Sequence, residues 1–220
     1  MTENCGFASG NNDRKFKLGT VGVPNHGMEI KLAEDGEILT RGGAVFKGYF
    51  KDEQATKETI DSEGWLHTGD VGVFDGEFLK IVDRKKDIII TSGGKNVSPQ
   101  EIENKIKISP FIKDTIVIGD RRKFLSALIA IEFDTVSNWA LRKNIPHTTY
   151  RDLSEKKEVK DLVWKEIVKA NESTSSLEIR KFRMIPKELD HEDGELTATQ
   201  KIKRNVLMEQ FSDLIEEMYS

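Results

Sequence analysis

One cysteine, Cys5, stands in 220 residues. An internal disulfide and a cysteine-based zinc site are therefore excluded, and a reducing, cytoplasmic setting is expected. A basic excess is also missing: 34 Lys and Arg face 38 Asp and Glu, for a formal net charge of −4. That argues against a nucleic-acid partner, since such binders carry surplus positive charge. No apolar run is long enough to span a bilayer. The first residues, MTENCGFASGNNDRKFK, have no apolar signal-peptide centre and read like a loop inside a larger protein. Internal repeats and low-complexity tracts are lacking too. What remains is 37% hydrophobic and 33% charged, enough for one or two domains with packed cores.

The pattern changes character along the chain. From Leu18 to about Asp83, short apolar–polar alternations are broken by Gly and Asp-Gly turns, predicting strands. A short helix is predicted at Lys51–Ile60, capped by Asp52. FDGE is predicted as a tight turn. DIIITSGG reads as a strand ending in a glycine turn. SPQEIENKIK then carries helix-start signals: Ser98 as cap, Pro99 at the first position and Glu101 completing a capping box. DTIVIGD and SALIAIEF predict two buried strands. Helices are predicted at Thr135–Lys143 and Glu155–Ala170, a loop at Glu172–Ser176 and a strand at IRKFRMIPKEL. One last helix should bury Leu207, Phe211, Leu214, Ile215 and Met218 on one face. The shift at DRKKD predicts a boundary between residues 1–84 and 85–220. The expected class is α+β. A small barrel-like β unit should precede a compact unit with a short antiparallel sheet flanked by helices.

Five short stretches could carry chemistry. GWLHTGD places Asp70 after a Thr-Gly turn at a strand boundary, and its two carboxylate oxygens suit the two hydroxyls of a ribose. The plain alternative is an acid that ends a turn. DRKKD reads as a solvated turn, or as a hinge that can swing without uncovering core, with Arg84 in reach of a nucleotide. TSGGKNVSPQEIE is a strand-to-helix turn, or a glycine backbone wall along a narrow ligand. In MTE, Thr2 can bond a phosphate oxygen and Glu3 can hold Mg²⁺. GELTATQKIKR offers Lys201 and Lys203 either as an exposed lead-in to the last helix or as a charge for a reacting phosphate. By spacing alone, the two lysines and Arg204 are equivalent exposed positions.

The order of the stretches is more specific than any of them. MTE, GEILTRGGAVFKGY, GWLHTGD, DRKKDIIITSGGKNVSPQEIE and GELTATQKIKR, in that sequence, resemble the adenylate-forming enzymes over nearly the whole chain. The likeness is greatest to long-chain fatty acyl-CoA synthetases. The resemblance implies roles by position. Thr2 matches a contact to the adenylate phosphate, and Glu3 a ligand of Mg²⁺. Asp70 and Arg84 match ribose contacts, and Lys86 the hinge between a large and a small domain. Gly93 and Gly94 match a loop lining the pantetheine tunnel of coenzyme A, and Lys201 the lysine of the adenylation step. ATP, Mg²⁺ and coenzyme A are the implied cofactors, and a fatty acid the implied substrate. Peripheral membrane contact is left open.

The family places Gly before that lysine, where this chain has Gln200. Its phosphate loop, ending in Pro-Lys-Gly, is not among these residues, nor is a fatty-acid pocket. The expectation is thus a C-terminal portion of a larger ligase, inactive in adenylation by itself. Two rivals keep the motifs. One is a non-catalytic interaction module using Thr135–Ser176 as its contact surface. The other is an adenylating enzyme whose acceptor is a carrier protein or oxygen.

Overall fold

Alternating segments between Met28 and Arg84 pair into one antiparallel sheet in the computed structural model, whose described residues are 1–172 and 178–220. Short strands β1 (Ser9–Gly10) and β2 (Val23–Pro24) pair first. The sheet proper runs β3 (Met28–Leu32), β4 (Glu37–Gly42), β5 (Leu66–Asp75) and β6 (Phe78–Arg84), each beside the next. Helix α1 (Glu53–Thr59) begins where expected, with Asp52 Oδ1 accepting from Ala55 N at 2.9 Å. The FDGE turn is a two-residue hairpin connection, closed by the Asp75–Phe78 pair. Trp65 is buried under the Lys31 ammonium and the Arg41 guanidinium, which lie 4.2 and 4.4 Å from its ring centre. These elements form one compact unit, Met1–Ile88; the second is Ile89–Ser220.

The second unit opens with a hairpin, β7 (Ile89–Ile90) and β8 (Asn96–Val97), followed by α2 (Pro99–Ile106). Ser98 Oγ accepts from Glu101 N at 3.2 Å, so the helix starts at its predicted cap. Strands β9 (Ile112–Ile118), β10 (Leu125–Ile131) and β11 (Ile179–Met184) form the sheet, with β10 in the centre. Every residue of β10 is buried. Leu125, Ala127, Ile129 and Ile131 enter a core with Ile102, Ile106, Val136, Leu153, Val163 and Ile167. Leu128 and Ala130 point the other way, to Leu207, Phe211, Ile215 and Met218. A strand packed by helices on both faces is apolar at nearly every position, which is why SALIAIEF shows a run rather than an alternation; its buried Ser126 is satisfied by donating to Tyr219 Oη at 2.8 Å.

The α+β class stands, with corrections inside it. The second sheet was expected to be wholly antiparallel. β9 and β10 are antiparallel, but β11 joins β10 parallel. Three helices lie between β10 and β11: α3 (Phe133–Arg142), α4 (Tyr150–Glu155) and α5 (Lys157–Glu172). That length of chain can return to the starting edge, as a parallel pairing requires. The helix expected over Glu155–Ala170 is α5, which starts at Lys157; the short α4 before it, separated at extended Lys156, was not expected. Leu153 and Val159 are both fully buried in one core. In an unbroken helix, six residues would set them about 120° apart, so the break lets both face inward. The last helix is likewise two segments, α6 (Arg204–Gln210) and α7 (Ser212–Tyr219), joined at Phe211. The predicted apolar face survives this joint: Leu207, Phe211, Ile215 and Met218 are all buried. The predicted loop at Glu172–Ser176 lies, after Glu172, outside the described residues, as does the end of the Thr135–Ser176 surface. Among the described residues, no helix is long and apolar enough to cross a membrane.

Candidate functional site

Asp70 does not sit at a strand boundary. It lies inside β5, in a bulge. Between the register pairs Leu39–His67 and Glu37–Val71, the three residues Thr68, Gly69 and Asp70 oppose Ile38 alone. Gly69 makes this possible with φ +69°, in the left-handed region that side chains disfavour. Thr68 Oγ1 donates to Ile38 O at 2.7 Å and accepts from Asp70 N at 3.1 Å. Across the sheet, Asp70 pairs in register with Arg84, and Arg84 Nε lies 3.5 Å from Asp70 Oδ1. The two residues the resemblance assigns to the ribose are therefore neighbours.

A residue that the sequence reading passed over organises this bulge. Glu37 is 4% exposed. Its Oε1 accepts from Gly69 N at 2.9 Å. Its Oε2 lies 3.1 Å from His67 Nδ1 and 2.9 Å from Lys85 Nζ. Burial by itself would raise the Glu37 carboxyl; the Lys85, His67 and Gly69 hydrogen bonds outweigh it and hold the group below its ordinary value of 4.5. Lys85 also reaches Asp35 Oδ2 at 2.6 Å, and its own pKa is raised by Asp35 first and then Glu37. DRKKD is thus not uniformly solvated: Asp83 is buried, and of the three exposed cations Arg84 and Lys85 have acidic partners.

Thr2 and Glu3 form one short 3-10 turn, Thr2–Asn4. Glu3 is tied to GAVFKGY twice. Phe46 N donates to Glu3 O at 2.8 Å, and Tyr49 Oη to Glu3 Oε1 at 3.1 Å. Thr2 is exposed. Among the described residues, no cluster of three or more His, Cys, Asp or Glu could hold a metal. A single carboxylate still fits Mg²⁺ beside a nucleotide, because that ion takes most of its ligands from phosphates and water.

In the second unit, Gly93 and Gly94 are the tip of the β7–β8 hairpin. Thr91 closes it, accepting from Lys95 N through Oγ1 at 3.2 Å and from Gly94 N through its carbonyl at 2.8 Å. Gly94 has φ +75°. A Cβ on either glycine would meet almost nothing in this chain: at Gly93 only Thr91 Oγ1 at 4.0 Å, at Gly94 no atom. Packing within this chain therefore leaves room for a side chain at both positions.

Lys201 lies on a second hairpin-like loop. Leu196 and Ile202 bridge antiparallel and pack on the core, leaving Lys201 and Lys203 exposed on either side of Ile202. Thr197 N donates to Lys201 O at 2.8 Å, and Lys201 N to Thr197 Oγ1 at 3.0 Å. Gln200 sits at the tip with φ +60°. The departure from Gly at that position therefore leaves a side chain in a left-handed conformation. Arg204 is not an exposed partner of the two lysines. Its guanidinium donates to Val117 O at 2.9 Å and to Glu103 Oε1 at 2.5 Å, fastening α6 to β9 and α2. Spacing could not separate these three cations, because only the fold supplies Glu103 and Val117.

The loop also has a buried carboxylate at its base. Glu195 is fully buried, its Oε2 accepts from Asp190 N at 2.9 Å, and Lys187 Nζ lies 3.0 Å from its Oε1. Asp193 pairs with the same lysine. Glu37 and Glu195 thus end the same tetrapeptide, EDGE, and each shares one lysine with the tetrapeptide's aspartate. That repeated tetrapeptide was the one sequence signal that could have drawn attention to both.

The AMP-binding enzyme C-terminal domain family matches residues 86–220. FadD15 of Mycobacterium tuberculosis, a long-chain-fatty-acid–CoA ligase, is 41% identical over 208 residues, covering 93% of this chain and 34% of its own length. The chain spans roughly a third of the length of the curated relatives it matches. Two solved structures resemble it. The adenylation domain of a carboxylate reductase from Mycobacterium chelonae aligns with a TM-score of 0.72 at 20% identity, over 93% of this chain and 34% of that one, a likeness of fold. The O-succinylbenzoate coenzyme A synthetase of Bacillus subtilis, solved with ATP and magnesium ion, aligns with a TM-score of 0.64 at 28% identity, over 93% and 39%. With the family model covering more than half of its residues, the chain belongs to the adenylate-forming enzymes that carry the AMP-binding C-terminal domain.

Proposed function

We propose that this chain supplies the ribose edge, the hinge and the mobile-domain lysine of an ATP-dependent long-chain fatty acyl-CoA ligase. The observation that carries the reading is the Asp70–Arg84 pair, held side by side by the β5–β6 register in a chain 41% identical to such a ligase. In the first half-reaction the fatty carboxylate attacks the α-phosphate of ATP and pyrophosphate leaves. In the second, the thiol of coenzyme A attacks the acyl-adenylate and AMP leaves. Asp70 accepts from the ribose hydroxyls and Arg84 donates beside it. Thr2 donates to a phosphate oxygen. Glu3 holds Mg²⁺, which would offset phosphate charge when bound.

Lys201 meets the charge that gathers on the phosphates during adenylation, and must be withdrawn for thioester formation. Its place on an exposed loop of the second unit supports that use. Lys86, exposed next to tethered Lys85 and two residues before the end of the first unit, is the hinge between the two units. The open space at Gly93 and Gly94 supports a backbone surface for pantetheine. Coenzyme A is favoured as acceptor because the relatives at higher identity are coenzyme A ligases, while the reductase domain shares only the fold. A cytoplasmic setting belongs to the same reading, supported by free Cys5.

The test uses the full-length protein that carries this sequence. Lys201→Ala should lower fatty-acid-dependent ATP–pyrophosphate exchange by about 10²-fold or more, the scale of losing one charge stabiliser. Thioester formation from preformed acyl-adenylate should stay near the parent rate. An equal fall in both half-reactions would refute the assignment.

A further inference from the structure

We infer that Glu37 is a positioning residue for the nucleotide end of the site, setting the Asp70 bulge and anchoring the chain just before the hinge with one carboxylate. The inference rests on the ribose reading of Asp70.

The geometry is specific. Three donors from two segments converge on one buried side chain: the His67 ring and the Gly69 amide from β5, and the Lys85 ammonium from beyond β6. Glu37 Oε1 is the partner of the Gly69 N–H, and Gly69 is the residue whose left-handed turn delivers Asp70. Thr68 holds the other side of the same bulge. A backbone N–H turned out of the sheet ladder and buried without an acceptor is costly, so the bulge depends on a side chain that reaches it. Glu37 Oε2 engages Lys85, which starts the short turn Lys85–Asp87 containing Lys86. Asp35 takes the same ammonium at 2.6 Å, so the residue before the hinge is held by two carboxylates. The carboxylate that shapes the Asp70 bulge thereby also fixes the end of the segment that must stay still when Lys86 turns.

Stability does not account for the arrangement. Apolar side chains of matching volume usually do as well as a buried ion pair, or better. β4 is otherwise buried by Ile38 and Leu39, and an apolar first residue would continue that surface. What an apolar residue would not do is accept from Gly69 and Lys85 together. Because a bulge re-aims the side chain it carries, the cost of a buried charge here is matched to orienting Asp70.

The full-length protein carrying this sequence provides the test, with ATP dependence measured for Glu37→Gln, Asp70→Ala and the double variant. Glu37→Gln should raise KM for ATP by roughly tenfold, the scale of a charge-assisted hydrogen bond, with a smaller change in kcat. In the Asp70→Ala background it should add less than about twofold, since its effect passes through Asp70. Glu37→Asp keeps the charge but is one methylene short of Gly69, and should reproduce the rise; it also serves if Glu37→Gln melts too low to assay. A KM for ATP unchanged by both Glu37 variants, full rescue by Asp, or single-variant effects that multiply in the double would overturn the inference. If Asp70→Ala alone leaves KM for ATP unchanged, the ribose reading fails and this inference with it.

Discussion

The Asp70 bulge and the Lys201 loop use one device in two ways. Each begins at an EDGE tetrapeptide whose glycine takes a left-handed turn, φ +83° at Gly36 and φ +78° at Gly194. Each buries the following glutamate and pairs it with a lysine that also meets the preceding aspartate. The difference is where the brace acts. Glu37 bonds the residue next to Asp70, across the sheet. Glu195 bonds Asp190 and Lys187, at the foot of its loop, while Lys201 at the far end is held by Thr197 and by backbone pairing. One candidate side chain is fixed directly; the other is carried on a short ribbon. The roles proposed above, a fixed ribose contact and a phosphate contact withdrawn between half-reactions, would call for that division.

Three stability measurements on the chain can break or sharpen this contrast. The largest effect is expected at Arg204, which ends the Lys201 loop. Arg204→Ala should cost about 2 kcal/mol in chemical denaturation, because Glu103 and Val117 O lose a charged donor. Lys203→Ala, exposed one residue earlier, should change stability by less than about 0.5 kcal/mol. Equal losses at the two positions would mean that the loop has no separate anchor.

The second concerns acid. Glu37 has its pKa held below 4.5 in the folded state. Its contribution is therefore complete above the unfolded value and is lost as pH falls through the lower folded one. Thermal midpoints of the parent and of Glu37→Gln should differ at neutral pH and draw together below about pH 4.5. No gap at neutral pH would show that Glu37 contributes volume rather than charge, and a gap unchanged down to about pH 3 would show that its titration is not the cause.

The smallest effect is at the loop tip. Gln200→Gly relieves a left-handed residue and should stabilise the chain by up to about 1 kcal/mol, offset by the freedom glycine regains when unfolded. A clear loss instead would reveal a contact of the Gln200 side chain. No comparable gain is available at Gly69, where the left-handed position is already filled by the residue that suits it.

Much of the fold was legible because its causes are local. The caps at Asp52 and Ser98 act on amides three residues away, and the apolar face from Leu207 to Met218 follows from helical spacing. The apolar run in β10 announced a strand covered on both sides. The helix break at Lys156 was not legible, since its cause is the shared core that Leu153 and Val159 must both reach. Nor was the parallel edge at β11, which depends on where three helices return the chain. For the site, motif order pointed to Asp70, Arg84 and Lys201 by resemblance, and geometry then set Asp70 and Arg204 apart from their neighbours while leaving Lys201 and Lys203 both exposed. Asp70 acquired a bulge and a partner, and Arg204 a structural role unlike that of the lysines before it.

The chain's own pattern was sufficient for its α+β class and for the helix starts at Asp52 and Ser98, because periodicity and capping are properties of nearby residues. Glu37 shows what it could not contain. Its partners lie 30, 32 and 48 residues away in sequence, at His67, Gly69 and Lys85. Only a sheet that places β4 beside β5, and the end of β6 within a lysine's reach, turns four unrelated positions into one cluster around a buried carboxylate.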